Sequence, residues 1–106
     1  MRIRLLTLTA IVVLCCTSYA FSLGQRRRGE AVFSTSGCAH CHSIRHSGGH
    51  KGPDLSGVGR RLNAVQMRLQ IINGSKLMPP FGEDLQDSDI ADLLSYLHSC
   101  REKEKK

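Results

Sequence analysis

Cys38-Ala39-His40-Cys41-His42 is the stretch that decides this chain. It reads Cys-x-x-Cys-His, a spacing that serves covalent haem attachment. Two thiols one short turn apart can each form a thioether to one of two adjacent haem vinyl groups. The histidine beside the second thiol is then placed under the porphyrin, where an imidazole nitrogen can ligate the iron. Five residues can match by chance, so the rest of the chain has to agree.

The N-terminus reads as a secretory signal. Arg2 and Arg4 form a basic start, Leu5 to Cys16 an apolar core, and Ser18-Tyr19-Ala20 a small-x-small cleavage site before Phe21. The apolar run is short against the span of about 20 residues that a bilayer requires. An uncleaved anchor would have to recruit Tyr19, Ala20 and Phe21. Cys15 and Cys16 are not preceded by the small residues of a lipidation signal. The expected division is therefore a signal over 1–20 and one domain over 21–106, with its core at 25–100 and a charged tail at 101–106. The expected location is periplasmic or otherwise exported, with a membrane-anchored chain as the alternative.

A domain this small struggles to build an adequate core and usually needs a staple. After cleavage its aromatic residues are Phe21, Phe33, Phe81 and Tyr96, with no Trp. A covalently held porphyrin would supply the missing apolar volume. Removing Arg2 and Arg4 from the 15 basic residues leaves 13 against 9 acidic ones, a net charge of +4 with neutral histidines. Much of the excess lies in Arg26-Arg27-Arg28 and in the tail. A basic surface suits acidic redox-protein partners or the headgroups of an anionic membrane surface, and it also simply keeps a small protein soluble. Export and the lack of interleaved aromatics argue against nucleic acid.

The pattern is all-α, with about three main helices separated by Gly- and Pro-rich loops. The first helix is expected from about Gln25 into the haem motif, with Gly29 and Phe33 on one face. The density of glycine between Ser47 and Gly59 argues against regular structure there. Asn63 can cap a second helix, with Gln66 at the capping-box position and Leu62 stapled to Met67. Its stripe is Leu62, Val65, Leu69 and Ile72, and Gly74 can stop it. The third helix starts at Asp87 or Ser88, with Asp89 and Asp92 near its positive end. Ile90, Leu93, Leu94 and Leu97 repeat at helical spacing. Nothing reads as a strand.

A sixth iron ligand has one strong candidate. Met1 leaves with the signal and Met67 is occupied as the staple. Met78 lies in Leu77-Met78-Pro79-Pro80-Phe81, where two prolines stiffen the backbone and could hold a thioether against iron. An ordinary gap-filling methionine is the alternative.

These motifs together resemble the small bacterial class I cytochromes c, over essentially residues 25–100. Gly29-Glu30-Ala31-Val32-Phe33 with Gly37-Cys38 resembles the family's first helix running into the haem motif, and Gly52-Pro53-Asp54-Leu55 the loop after the haem histidine. Gly74 with Met78-Pro79-Pro80-Phe81 resembles the distal loop, and Leu93-Leu94-Ser95-Tyr96-Leu97 the C-terminal helix. The resemblance implies one haem c bound through Cys38 and Cys41, with His42 and Met78 as axial ligands. It implies a hydrogen bond from His42 to the Pro53 carbonyl, which would orient the imidazole. Gly29 and Phe33 would meet the last helix near Leu94 and Leu97. Arg60 or Arg61 would pair with a haem propionate, unless both are merely solvated. The implied function is a monomeric exported one-electron carrier between redox partners, not an enzyme by itself.

Other readings are poorer. Cys38, Cys41, His46 and His50 suggest a zinc site, but the four residues between Cys41 and His46 are too few to fold back. A thioredoxin-like site would need a βαβ pattern. Cys100 extends the last apolar stripe and reads as a buried small hydrophobe or as an intermolecular disulfide partner. A permanently docked subunit of a dehydrogenase or oxidase stays open. So does a gas-binding or peroxidase-like protein, if Met78 does not ligate.

Overall fold

The computed structural model describes residues 1–103. Helix α1 runs unbroken over Arg2–Thr35, well upstream of the expected start at Gln25. The physical reason is that the apolar segment contains no proline, and Gly24 alone does not stop a helix. Its residues 2–23 are exposed on every side. By length and composition this helix is apolar enough to cross a membrane, with a mean hydropathy of 1.9 over its most apolar window. A signal sequence has the same character.

Beyond α1 a 3₁₀ turn over Cys38–His40 carries the haem motif. Gly37 precedes it in the left-handed region at φ 84°, a conformation that glycine adopts at no steric cost. Contrary to expectation two short strands follow. β1, Ser43–Ile44, pairs antiparallel with β2, Ser47–Gly48. Arg45 and His46 form the two-residue connection, both at positive φ (51° and 67°). That is the backbone a tight hairpin requires, usually signalled by Asn-Gly or Asp-Gly. The side chains here gave no such signal.

The glycine-dense stretch also holds a single helical turn, α2, over Val58–Arg61. Helix α3, Ala64–Asn73, starts as expected: Asn63 Oδ1 accepts from Gln66 N, and Gln66 Oε1 accepts from Asn63 N, both at 2.9 Å. Helix α4 spans Asp87–Ser99, and the Asp89 carboxylate accepts from Gln86 N at its start. The three expected main helices are present among the described residues as α1, α3 and α4, with the α2 turn added.

The core joins α1, α3 and α4 around Phe33, Met67, Ile71, Leu93 and Leu97. Leu62 packs against this core, of which the buried Met67 is a member. The expected α3 stripe is not the buried one. Met67 and Ile71 are 2% and 5% exposed, whereas Val65 and Leu69 are 67% and 54% exposed. Both sets are apolar at helical spacing, and periodicity alone cannot choose between them.

Helices α1 and α4 meet at Gly29. A Cβ there would overlap the Asp92 carbonyl oxygen and stand 2.8 Å from Tyr96 Cβ. Phe33 packs edge-on against Tyr96, with ring centroids 5.9 Å apart, and Arg28 pairs with Asp92 at 3.0 Å. The helix pairing is as expected, but its close-contact face is Asp92 and Tyr96 rather than Leu94 and Leu97. A glycine gap takes the backbone of the facing turn, not its long side chains.

Candidate functional site

The haem motif is held by the loop that follows it. His42 N donates to Cys38 O at 3.0 Å, closing the turn that sets Cys38 and Cys41 beside the histidine. Gly49 N donates to Ala39 O, Gly52 N to Cys41 O and Leu55 N to Ser43 O, at 2.7–2.8 Å. Glycine at 48 and 49 is what lets this loop lie against the motif, because a Cβ on either would collide with the backbone of His40 or His42.

His42 Nδ1 donates to the Pro53 carbonyl oxygen at 2.8 Å. That bond assigns the ring proton to Nδ1 and leaves Nε2 as the nitrogen able to bind a metal. Gly52 makes room for the ring, since a Cβ at 52 would stand 2.7 Å from His42 Cε1. Cys38 and Cys41 are unpaired, half-buried thiols. Burial pushes the Cys38 thiol above its ordinary value, only partly offset by a backbone hydrogen bond. Such a thiol is a poor exchange nucleophile, which argues against thioredoxin-like chemistry.

Met78 is half-buried against the same core that Cys38 borders. Its loop folds back on α3: Ser75 N donates to Met78 O at 2.8 Å, and Phe81 N to Ile71 O at 2.9 Å. Gly74, at φ 65°, permits this return, because a Cβ would crowd Met78 O and approach Pro80 N to 2.7 Å. Gln70 Nε2 lies 3.6 Å from Met78 Sδ, positioned to donate to the thioether. The sequence reading missed Gln70. Its separation from Met78, eight residues across a helix end and a loop, carries no periodic signal.

The other sequence candidates are placed as follows. Arg60 is exposed, and Arg61 donates to the Asp54 carbonyl oxygen at 2.8 Å. His40, His46, His50 and His98 are exposed. Among the described residues no three His, Cys, Asp or Glu side chains converge as a metal cluster. Cys100 is buried, 5% exposed, so an intermolecular disulfide would require local unfolding. The tail is not simply solvated, for Arg101 donates to Gly59 O and Glu102 N to Ser56 O. Residues 104–106 of the expected tail lie outside the described residues.

Two thiols on one turn, an imidazole fixed through Nδ1, room at Gly52 and a braced thioether form a donor set that fits a covalently attached haem. The comparisons agree. A family model described as cytochrome c oxidase, cbb3-type, subunit III matches residues 24–97. Cytochrome c6 of Diacronema lutheri is 34% identical over 84 residues, covering 72% of this chain and 96% of the relative. Cytochrome c6 of Porphyra purpurea is 36% identical over 107 residues, covering 93% and 92%. That of Bumilleriopsis filiformis is 39% identical over 80 residues, covering 70% and 90%. No solved structure gives a significant match. The chain belongs to the cytochrome c family, as a small monohaem protein that carries one covalently bound haem c and passes single electrons between redox partners.

Proposed function

We propose that this cytochrome is an exported carrier whose haem is attached through Cys38 and Cys41 and ligated by His42 and Met78. The observation that carries the ligand assignment is the 2.8 Å bond from His42 Nδ1 to Pro53 O, which leaves Nε2 for iron. Bound there, the haem supplies a one-electron ferric–ferrous couple. The chain supplies rigidity. Pro53 fixes the orientation of the His42 ring and strengthens Nε2 as a donor to the metal. The Met78 thioether, a soft donor, favours the reduced state, and the Gly74 return holds its loop in place. Arg60 and Arg61 offer cationic partners for the haem carboxylates.

The basic surface of the exported domain suits brief encounters with acidic docking surfaces on redox partners, in which charge steers association more than it adds affinity. The protein acts as a monomer, and the segment 1–20 directs export and is removed. One observation favours a second reading, that of a docked or membrane-held oxidase subunit. It is the combination of the matched oxidase-subunit family model with an exposed apolar α1. The intact mass of the purified protein and its distribution between soluble and membrane fractions separate the two.

The ligand set is tested by optical spectra of the oxidised and reduced holoprotein, with carbon monoxide added to the latter. Low-spin spectra, a far-red sulfur-to-iron band and no carbon monoxide response are the expected result. High-spin iron, or ready carbon monoxide binding, would show that Met78 does not ligate.

A further inference from the structure

We propose that Ser56 is a positioning residue for His42, knotting three separate segments so that the Pro53 carbonyl stays aimed at the imidazole. The inference rests on the reading of His42 as an axial ligand. Pro53 has no amide N–H, so its own nitrogen cannot anchor the carbonyl. On its N-terminal side the turn is tied by Gly52 N to Cys41 O, and on the carbonyl side the anchoring comes from the residues just after it.

Ser56 supplies it with every polar group it has. Its amide donates to Asp54 Oδ1 at 2.7 Å, closing the turn directly after Pro53. Its hydroxyl oxygen accepts from Arg45 N at 2.8 Å. Its carbonyl accepts from Glu102 N at 3.0 Å. Arg45 is the hairpin residue held at φ 51°, a conformation that an L side chain keeps only when its surroundings impose it. Its side chain reaches the same C-terminal strap, through Nε to Glu102 Oε1 at 2.8 Å. That ion pair is exposed and contributes little by itself. The three bonds at Ser56 do the holding, with Gly59 N donating to Cys100 O at 2.9 Å beside them. Hairpin tip, proline turn and strap therefore meet on one half-buried serine, three residues from the carbonyl that orients the ring.

The test uses holoprotein and reads the His42 Nδ1–H resonance, hyperfine-shifted in the ferric state, and its exchange with solvent. Ser56→Ala removes the acceptor for Arg45 N. It should raise the exchange rate about five- to tenfold, the effect expected from losing one net hydrogen bond. The reduction potential should rise as the Pro53 bond, and with it the imidazole's donor strength, weakens. Ser56→Thr, which keeps the oxygen, should restore both. If Ser56→Ala does not fold, the exposed Asp54 provides the second arm: Asp54→Ala should quicken exchange and Asp54→Asn, which keeps Oδ1, should not. Unchanged exchange and potential in Ser56→Ala, with only a lower Tm, would overturn the proposal and leave the Leu55–Ser43 bond as the sufficient anchor. So would a wild-type rate in Asp54→Ala. Absence of a shifted Nδ1–H in the wild type would instead sink the ligand reading itself.

Discussion

Gln70 shows how much a single side chain can add to a site that a motif outlines only coarsely. Its amide stands 3.6 Å from Met78 Sδ. A donor there withdraws electron density from the sulfur and, with the ligation proposed above, makes the thioether a weaker partner for ferric iron. Gln70→Ala should therefore lower the reduction potential, measured by redox titration, while the spectrum stays low-spin. An unchanged or higher potential would remove Gln70 from the site. His42 makes the same point from the proximal side. The motif names the proposed ligand, but its tautomer depends on a carbonyl eleven residues away at Pro53.

At the scale of elements, the pairing of α1 with α4 turns on Gly29. The facing surface there is the Asp92 carbonyl and Tyr96 Cβ, and neither can retreat without moving a helix. Gly29→Ala should cost about 1–3 kcal/mol through overpacking, outweighing the gain in helix propensity. Thermal unfolding should register a Tm lower by at least about 4 °C. An unchanged Tm would mean that the two helices slide freely. Elements also differ in how openly they announce themselves. The Asn63–Gln66 capping box is local and appeared where its residues stand. The hairpin at Arg45-His46 came unannounced, because neither residue favours its positive φ and the Arg45 amide is held by the Ser56 hydroxyl eleven residues away.

For the whole molecule, one contribution to stability at alkaline pH comes from Cys100, where the end of α4 meets the α2 segment through Gly59. Burial pushes this thiol above its ordinary value of 9.0, with Arg45 pulling the other way and Glu102 adding to the rise. A raised value means that the folded state favours the neutral thiol. The resulting stability is complete below pH 9.0 and is lost as pH climbs through the elevated folded value. Tm should therefore fall more steeply between pH 8 and pH 10 in the wild type than in Cys100→Val, with both followed by circular dichroism. Parallel curves would show that the thiol does not contribute.

The sequence by itself determined the attachment chemistry, the all-helical class and two of the helix starts. Each depends on neighbours within a few residues: a Cys-x-x-Cys-His turn, a capping pair, the apolar repeat at Ile90, Leu93 and Leu97. Only the tertiary structure decided which face of α3 turns inward, because Met67–Ile71 and Val65–Leu69 are equally good stripes until the rest of the core selects one. It also decided that the haem-motif loop is zipped to residues 48–55 and strapped by the C-terminal segment. Those bonds join backbone groups far apart in the chain. Backbone amides and carbonyls are the same at every residue, so no side-chain pattern could have announced their partners.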